Sequence, residues 1–489
     1  RIDISPNDVT WQRANAALDA CAAMSTGVKR DRREILLGNV PPRFERLADF
    51  TPSRPLNPEQ LDAVKLALSA RDFALVHGPP GTGKSTVLGE IAVQAARAGK
   101  KILCTAASNA AVDHLLELSL DAGLDAVRVG HPARVLPHLQ SHTVDLLVEA
   151  HDDRIAAKDM FEEAFDLLGY ARRQRTQGRS RQRFSNAREA QSEGKKLISE
   201  AKRLERRAVA SILDRAQVIC ATCTMLEGTL LEHREFDLVL LDEATQATEP
   251  TALMAFLKAP ATILAGDPQQ LAPTIMSTEA KAGGLGVSLF ERLLGDHGDN
   301  VKRMLKEQYR MNEQIMNFPS REMYQGQLRA HESVKVRVLS DVLQTSTSVD
   351  APPVLFLDTA GRGYDEVTAA GSASLRNEGE AALVVAHARR LLAAGLDAHE
   401  LALISPYRAQ AEWLRELMAE VPEIEIDTID AFQGREKEAI LVSLVRCNTE
   451  QTLGFLDDLR RMNVAMTRPR RHLFVVGDSA TLSSSDFYR

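Results

Sequence analysis

The sequence predicts an α/β protein with two tandem parallel-sheet domains and a helical insertion in the first. The first observation is a strand–loop–helix–strand succession that starts with "FALVH" at Phe73 and continues to "KILCTAAS". The second is a later series of similar apolar runs, from "PPVLFLD" to "HLFVVGD". The third is residues 140–214, which are rich in charge and almost free of strand pattern. Strands that alternate with helices indicate βαβ units, and therefore parallel sheets.

Changes in composition place the domain boundaries. Residues 1–50 show helical patterning before a proline-rich connector, and we expect them to form an N-terminal helical stalk. The first sheet domain is expected over residues 51–285, because "AQVICATC", "FDLVLLDEA" and "ATILAGD" resume the sheet after the insertion. Glycine content rises between Gly283 and Asn300, so the second sheet domain is expected over residues 286–489.

Length and composition indicate an ordinary globular protein. The 489 residues are 44% hydrophobic, and no run approaches the length of a membrane span. The chain begins at Arg1 without an apolar signal region, so we expect no export signal; the absent initiator methionine suggests that residues were removed from the start. Five cysteines argue against a disulfide framework, which fits a reducing, cytoplasmic location. The lone pair Cys220 and Cys223 favours two thiols in or beside a buried strand over a zinc or redox site.

The net charge of −7 hides a strong asymmetry. Between Ala171 and Arg207 there are 13 Lys and Arg residues against 4 acidic ones, a local excess of +9. A basic element on an acidic body is typical of a nucleic-acid contact. The alternative is a solvated helical hairpin, because many charge runs are no more than that.

The stretch "VHGPPGTGKST" predicts a phosphate-binding loop, because it follows a strand, precedes a helix and contains G-x-x-x-x-G-K-S. Its glycines allow backbone N–H groups to face phosphate oxygens, and the helix N-terminus adds its positive end. Lys84 is expected at the β- and γ-phosphates of ATP, and the Ser85 hydroxyl at Mg²⁺. The residues expected to contact nucleotide here are Gly78, Pro79, Pro80, Gly81, Thr82, Gly83, Lys84, Ser85 and Thr86.

The stretch "LVLLDEATQ" predicts the catalytic carboxylates. An apolar strand ends in Asp242 and Glu243, which places both at the sheet edge beside the loop. We expect Asp242 to hold the Mg²⁺ shell and Glu243 to deprotonate the attacking water. Hydrolysis also needs positive charge on the transition state, for which the second domain offers Arg310 and Arg468; each alone has a surface ion pair as its alternative.

At these residues the chain resembles a superfamily 1 helicase, in the 5′→3′ branch that includes the nonsense-mediated-decay helicase and the immunoglobulin mu-binding helicase. The matching motifs run in family order from "LNPEQLDAV" through "TAASNAAVDHL", "DEATQATEP", "GDPQQLAPT", "QYRMN" and "TIDAFQGREKEAILVS" to "NVAMTRPR". The resemblance implies a P-loop NTPase built from two RecA-like domains that bind ATP in the cleft between them. Beyond the loop and the carboxylates, it implies nucleotide-site roles for Gln60, Gln270, Tyr309, Arg310, Gly434, Glu436 and Arg468.

The resemblance also implies a single-stranded DNA or RNA partner, gripped on the surface opposite the ATP. The matching positions are Ser108, Asn109, Thr222, Thr224, Tyr407 and Thr428. For Tyr407 a packed tyrosine in the core is an equally good interpretation. The branch places a helical subdomain over the nucleic-acid path, which strengthens the same interpretation of the basic insertion.

Residues 1–50 depart from the family pattern, since they resemble only the stalk on which other members mount a small β-barrel. We therefore expect either a shortened form or a natural variant, an alternative that bears on duplex separation more than on ATP hydrolysis. The leading hypothesis is an ATP-dependent 5′→3′ helicase. The second is a nucleotide-gated clamp that hydrolyses ATP without unwinding. The third, an AAA-type remodeller, generally takes its arginine from a neighbouring subunit; both arginines here lie in one chain, so we expect a monomeric motor.

Overall fold

The computed structural model describes residues 8–176, 181–344, 351–369 and 371–489. They form one seven-stranded and one five-stranded parallel sheet, so the predicted α/β class with two sheets is confirmed. Two short two-stranded ladders, β8 with β9 and β11 with β12, supplement them. The strands are β1 (Phe73–His77), β2 (Ile102–Ala106), β3 (Ala126–Val129), β4 (Val218–Thr222), β5 (Leu238–Leu241), β6 (Ala261–Gly266), β7 (Lys302–Met304), β8 (Glu307–Gln308), β9 (Arg329–Ala330), β10 (Val354–Asp358), β11 (Val367–Thr368), β12 (Leu375–Arg376), β13 (Leu401–Ser405), β14 (Glu425–Thr428), β15 (Lys437–Ser443) and β16 (Pro469–Gly477).

Helices cover both faces of each sheet, as parallel sheets require. They are α1 (Asp8–Ala22), α2 (Gly27–Leu36), α3 (Pro58–Ser69), α4 (Lys84–Arg97), α5 (Asn109–Asp121), α6 (Val144–Glu149), α7 (Asp152–Thr176), α8 (Arg181–Arg215), α9 (Glu249–Phe256), α10 (Thr278–Ala280), α11 (Leu289–His297), α12 (Glu313–Tyr324), α13 (Glu332–Lys335), α14 (Glu378–Ala393), α15 (Arg408–Leu417), α16 (Leu459–Met466) and α17 (Ser479–Leu482). Within the described ranges, none of these helices has the length and apolar character needed to cross a membrane.

The first sheet has the strand order β3-β4-β2-β5-β6-β1-β7. Its central strands are continuous apolar runs, because side chains alternate between two faces that are both buried. Phe73 and Leu75 of β1 join a core with α1, α2, α9 and α11, whereas Ala74 and Val76 join a core with α3, α4 and α5. The strand ends at β1, β5 and β6 therefore meet at one edge, where open α/β sheets bind their ligands.

Two strands of this sheet, β3 and β7, were not predicted. The β3 strand interrupts its apolar pattern with Arg128, and β7 is a short, half-buried edge strand. Strand β7 pairs with β1, and α11 packs on the same sheet, so both elements lie on the first sheet. The predicted domain boundary at residue 285 stays a prediction.

The second sheet has the order β10-β16-β15-β13-β14. Its strands coincide with the five apolar runs predicted for this half of the chain. Helices α14 and α15 pack on one face, and α12 and α16 pack on the other. The turn after β8, which carries Tyr309 and Arg310, therefore connects the first sheet to a helix of the second.

The insertion forms a long helical hairpin of α7 and α8. Alanines recur every seventh residue on α7 at Ala157, Ala164 and Ala171, and all three are buried. Helix α8 has the same spacing at Ala187, Gly194, Ala201 and Ala208, also buried. A Cβ on Gly194 would lie 3.1 Å from the carbonyl oxygen of Ala164, so small residues let the two backbones approach closely.

The predicted stalk and thiols also have definite positions. Helices α1 and α2 pack on the first domain through Ala14, Ala17, Ile35 and Leu36, so residues 8–36 are part of that domain's helical layer. Cys220 lies in β4 and Cys223 directly after it, and both are buried, as the sequence predicted.

Candidate functional site

The phosphate-binding loop lies between β1 and α4, as predicted. Its glycines are required by geometry at two positions. Gly81 and Gly83 have φ values of +73° and +80°, which side chains rarely adopt. A Cβ on Gly81 would lie 2.6 Å from the Cβ of Arg310, and one on Gly83 would lie 2.5 Å from Gln60 Nε2. The loop is thus packed against both neighbouring segments.

Lys84 lies between the two predicted carboxylates. Its Nζ is 2.9 Å from Asp242 Oδ1 and 2.5 Å from Glu243 Oε1. Burial opposes charge on the amine, but the two carboxylates outweigh it and raise the pKa of Lys84 above its ordinary value. Glu243 has a φ of +49°, a strained conformation for a non-glycine residue and one that clusters at functional sites. Gln246 Nε2 donates to Glu243 Oε2 at 2.6 Å and fixes the carboxylate further.

A cavity of about 640 Å³ opens in front of this group. It is lined by residues of both sheet domains, including four basic and four acidic side chains. The lining residues are Gly78, Pro79, Pro80, Gly81, Thr82, Gly83, Lys84, Ser85, Ser108, Ala110, Ala111, His114, Asp242, Glu243, Gln246, Gln270, Tyr309, Arg310, Asp430, Gln433, Gly434, Arg435, Glu436 and Arg468.

Arg468 reaches the cavity from the end of α16 and contacts the first domain. Its Nη2 donates to Gln270 Oε1 at 3.2 Å, and its Nε donates to the Val464 carbonyl at 3.0 Å. The residue is only 2% exposed. Burial, reinforced by the charge of Arg310, lowers the pKa of Arg468 to about 9. A desolvated guanidinium held in this way is preorganised to meet negative charge.

Arg310 lies on the same wall beside the loop. Its Nε pairs with Glu436, and its Nη1 donates to the Thr467 carbonyl at 2.9 Å. Burial lowers the pKa of Arg310, although the Glu436 carboxylate opposes that shift. The neighbouring Tyr309 N–H donates to the Gly81 carbonyl at 2.8 Å, and the Tyr309 ring lines the cavity. Arg310, Glu436 and the loop are therefore brought together as predicted.

A polar seam connects the two walls of the cavity; we use this name for the hydrogen-bonded residues Asp267, Gln270, Tyr324 and Asn463. Asp267 is buried, and it accepts hydrogen bonds from Tyr324 OH at 2.7 Å and Gln270 Nε2 at 2.9 Å. Burial alone would raise the pKa of Asp267, but His77 and these donors hold it below its ordinary value. From α16, Asn463 Nδ2 donates to Tyr324 OH at 2.8 Å and to the Gln269 carbonyl at 2.7 Å.

The residues present fit magnesium and a nucleoside triphosphate. Ser85 and Asp242 both line the cavity and offer the hard oxygen ligands that Mg²⁺ prefers. Mg²⁺ usually takes only one or two protein ligands and completes its shell with water and phosphate, so a larger cluster is not needed. Within the described ranges, no group of three or more His, Cys, Asp or Glu side chains could hold a metal ion. The glycine cradle and four cationic side chains suit a polyanion.

Two predicted nucleotide contacts do not line the cavity. Gln60 is buried: its Nε2 donates to the Thr82 carbonyl at 3.1 Å, and its Oε1 accepts from the Asn57 N–H at 3.1 Å. Gln60 therefore supports the loop and caps α3 in this arrangement. Thr86 follows Ser85 in the first turn of α4 and is also absent from the lining.

The predicted strand contacts of the first domain lie at or just after the ends of the paired strands β2 and β4. Ser108 lines the nucleotide cavity itself, and its Oγ caps α5 by accepting from the Ala111 N–H at 3.2 Å. Asn109 Oδ1 accepts from the buried Arg128 at 2.8 Å. Thr222 is buried and its hydroxyl lies 3.3 Å from that of the half-buried Thr224. None of these four residues presents a fully exposed polar side chain away from the cavity.

In the second domain, Tyr407 is a packed core residue. It is 4% exposed, its ring lies 5.1 Å from that of Phe455, and its hydroxyl accepts from the Phe455 N–H at 3.4 Å. This favours the core interpretation over a base platform. Thr428 is half-buried at the end of the edge strand β14, where its Oγ1 accepts from the Ala431 N–H. The strand-binding role of Thr428 stays a prediction.

Sequence reasoning missed five polar lining residues: His114, Gln246, Asp430, Gln433 and Arg435. Gln246 follows Glu243 by one turn, so the phrase "DEATQ" carried a usable signal for it. Asp430, Gln433 and Arg435 lie within the predicted motif around Gly434. His114 likewise lies within the predicted motif "TAASNAAVDHL", and its contact with Ser85 brings it to the site.

Comparisons with known proteins agree with this geometry. Residues 55–278 and residues 285–480 each match a family described as an AAA domain. The chain is 40% identical over 492 residues to the DNA-binding protein SMUBP-2 of Mesocricetus auratus. The alignment covers 99% of this chain and 49% of that protein. It therefore spans about half the length of that relative.

Two further relatives are covered more completely. The uncharacterized ATP-dependent helicase MJ0104 of Methanocaldococcus jannaschii is 34% identical, over 100% of this chain and 77% of its own length. The DNA polymerase alpha-associated DNA helicase A of Saccharomyces cerevisiae is 32% identical, over 97% of this chain and 73% of its own length. With its motifs in order around one cavity between two parallel sheets, the chain belongs to the superfamily 1 helicases.

Proposed function

We propose that this chain is a nucleic-acid-dependent ATPase that hydrolyses ATP between its two sheet domains and moves 5′→3′ along a single strand. The single observation that carries the proposal is the cavity with Lys84 on one wall and Arg310 and Arg468 on the other. One polypeptide supplies both walls, which supports a motor that works as a single chain. The names of the relatives, which speak of DNA binding and of ATP-dependent helicases, support the same activity.

The charged residues have separate tasks in this proposal. Lys84 exchanges its carboxylate partners for the β- and γ-phosphate oxygens, since a buried cation between two anions is already fully charged. Arg468 and Arg310 stabilise the charge that develops on the transferred phosphoryl group. Gln270 accepts a hydrogen bond from Arg468 across the cleft, so it connects the γ-phosphate to the second domain.

Glu243 acts on the attacking water. Its strained backbone and the hydrogen bond from Gln246 hold the carboxylate at the cavity wall. Once Lys84 has moved from Glu243 to the phosphate, the carboxylate can accept a proton from the attacking water. Ser85 and Asp242 hold magnesium. The ion supplies neutralising charge at the phosphate oxygens.

Mechanical work follows if the walls separate and close once in each cycle. Polar contacts cross the cleft, such as Arg468 to Gln270, Asn463 to Gln269 and Arg460 to Glu291, and Leu271 of the first domain also packs against the core of the second. Polar contacts of this kind are suited to repeated breaking, in contrast to a large apolar interface. The exposed basic residues of α7 and α8 provide positive charge for a strand outside the cavity.

The test is an ATPase assay with single-stranded DNA and RNA of equal length at fixed salt, combined with strand displacement. Lys84→Ala is the inactive control. We expect hydrolysis to rise severalfold with added strand, and a duplex with a 5′ single-stranded tail to be displaced while one with a 3′ tail is not.

Each alternative outcome has a definite meaning. Hydrolysis that ignores both DNA and RNA would contradict the proposal. Stimulated hydrolysis without displacement of either duplex would identify the nucleotide-gated clamp instead. Displacement of the 3′-tailed duplex alone would keep the helicase but reverse its direction.

A further inference from the structure

His114 contacts the serine that is expected to hold magnesium. Its Nε2 lies 3.0 Å from Ser85 Oγ, and the ring lines the nucleotide cavity. His114 stands on the second turn of α5, which crosses over the beginning of α4. The contact joins two elements that are 29 residues apart in sequence, so it depends on the tertiary fold.

A serine hydroxyl that ligates a cation must direct a lone pair toward the metal, and its proton then needs another acceptor. Neutral imidazole provides such an acceptor on one ring nitrogen when the other carries the proton. Nε2 of His114 is the nitrogen that faces Ser85. Groups behind a metal ligand orient it in this way and are needed for tight binding.

A carboxylate lies on the opposite side of the imidazole. Glu117 Oε2 is 3.6 Å from Nδ1 of His114. Glu117 is itself held by His138, whose Nε2 lies 2.6 Å from Glu117 Oε1. His138 belongs to the segment that leads into the helical insertion. A chain of side chains therefore runs from the base of the insertion to Ser85.

We propose that His114 is a positioning residue for magnesium: its Nε2 accepts a hydrogen bond from the Ser85 hydroxyl and so directs a lone pair of the Ser85 oxygen toward the metal. The inference rests on the proposed use of magnesium-bound ATP. Because His114 is 48% exposed at its side chain, its replacement removes little packing. The effect of the replacement is therefore expected in metal affinity, with the fold preserved.

The experiment measures the binding of a fluorescent ADP analogue as free Mg²⁺ is titrated from zero, with no hydrolysis required. For His114→Ala we expect the Mg²⁺ midpoint to rise about 10- to 100-fold, the usual cost of losing such an outer partner. Nucleotide binding in EDTA should stay unchanged. His114→Gln, which keeps an acceptor oxygen at similar reach, should recover most of the affinity. His233→Ala, at an exposed histidine outside the cavity lining, is the matched control.

A double variant separates orientation from a general effect. If His114 acts through Ser85, adding His114→Ala to Ser85→Ala should leave the Mg²⁺ midpoint of Ser85→Ala unchanged. Two additive shifts would overturn the inference, as would a His114→Ala midpoint equal to that of the wild type. If wild-type nucleotide binding does not respond to Mg²⁺ at all, the proposed magnesium use fails together with this inference. The two failures are therefore distinguishable.

Discussion

The two walls of the nucleotide cavity are built in different ways. In the first domain, Lys84 is the first residue of α4, directly after the phosphate-binding loop, and its partners Asp242 and Glu243 follow β5, which β6 separates from β1 in the same sheet. In the second domain, Arg468 is buried and Arg310 is half-buried. Arg468 donates to the Val464 carbonyl, and Arg310 donates to the Thr467 carbonyl and pairs with Glu436. The first wall is complete within one domain. The second wall meets the nucleotide only where the domains approach each other.

This difference implies a division of labour. A wall that is complete within one domain can bind nucleotide in any state of the cleft, whereas side chains on the opposite wall act only in the closed state. Interactions that strengthen in the transition state raise kcat, and uniform contacts change affinity. We therefore expect first-wall variants to lose binding as well as turnover, and second-wall variants to lose turnover alone.

The largest effect is expected for Arg468→Ala. The kcat of strand-stimulated hydrolysis should fall by about 10³- to 10⁵-fold, as for other arginines that stabilise phosphoryl transfer. The dissociation constant of a fluorescent nucleotide should change little, because Arg468 acts in the closed state. Arg471→Ala is the control, since Arg471 pairs with Glu438 and lies outside the cavity lining. Equal losses of affinity and of kcat in Arg468→Ala would contradict the division between the walls.

Lys84→Ala should lower kcat by roughly 10²- to 10³-fold or more, because it removes a cation aimed at the transferred phosphate. In contrast to Arg468→Ala, it should also weaken nucleotide binding. The same equilibrium titration measures this, and circular dichroism checks that the fold is intact. Unchanged affinity would show that the first wall does not bind the phosphates in the ground state.

Tyr324→Phe tests the seam between the walls. It removes a donor to Asp267 and an acceptor for Asn463, which should lower the free energy of unfolding by about 1–3 kcal/mol at neutral pH. Tyr324 helps to hold the pKa of Asp267 in the folded protein below its ordinary value. The ionised carboxylate therefore stabilises the fold at every pH above the pKa that Asp267 has in the unfolded chain. This stabilisation is lost as the pH falls through the pKa of Asp267 in the folded protein. With the donor gone, the folded pKa rises.

The variant should therefore lose stability at a higher pH than the wild type during acidification. Urea unfolding at a series of pH values measures this shift. Tyr170→Phe is the control, because Tyr170 is exposed on the insertion. If the free energy of unfolding depends on pH in the same way for Tyr324→Phe and the wild type, the Tyr324 hydrogen bond is not linked to the protonation of Asp267.

The smallest effect is expected for Tyr309→Ala at the rim. Tyr309 is 37% exposed and packs on His331 with 4.6 Å between the ring centres. Because Tyr309 also lines the cavity, we expect its ring to stack on the base of the nucleotide, and an aromatic contact contributes about 0.5–1.5 kcal/mol. Nucleotide affinity should therefore fall about 2- to 13-fold while saturated turnover is kept. Tyr309→Phe should bind as the wild type does. Loss of saturated turnover would place Tyr309 with the second-wall arginines instead.

Much of the fold could be predicted because its information is local. Continuous apolar runs mark doubly covered strands, and the predicted strands of both sheets are present. Strand β3 was not predicted because Arg128 interrupts its apolar run, yet Arg128 is 0% exposed, forms an ion pair with Asp113 and donates a hydrogen bond to Asn109. Edge strand β7 escaped because half-buried polar residues form it. In both cases partners distant in sequence override the local pattern.

The residues of the candidate site also divide into those that the local sequence predicts and those that depend on tertiary packing. The loop and the carboxylates follow from consecutive residues, so their proximity could be predicted from strand ends. The contact of His114 with Ser85, and the supporting position of Gln60, depend on how α5 and α3 lie against the loop. The strand contacts were least predictable, because resemblance supplies positions and not exposure, and Tyr407 lies in the core.

The alanine repeat of α7 and α8 has a mechanical consequence. Closely packed backbones joined every two turns make the insertion a stiff rod, and a helix of 35 residues is about 52 Å long. A tilt of about 10° at its root would carry the far end through about 9 Å over that length. With such a tilt, a small movement of the first domain near the nucleotide cavity would become a larger displacement at the basic far end of the insertion.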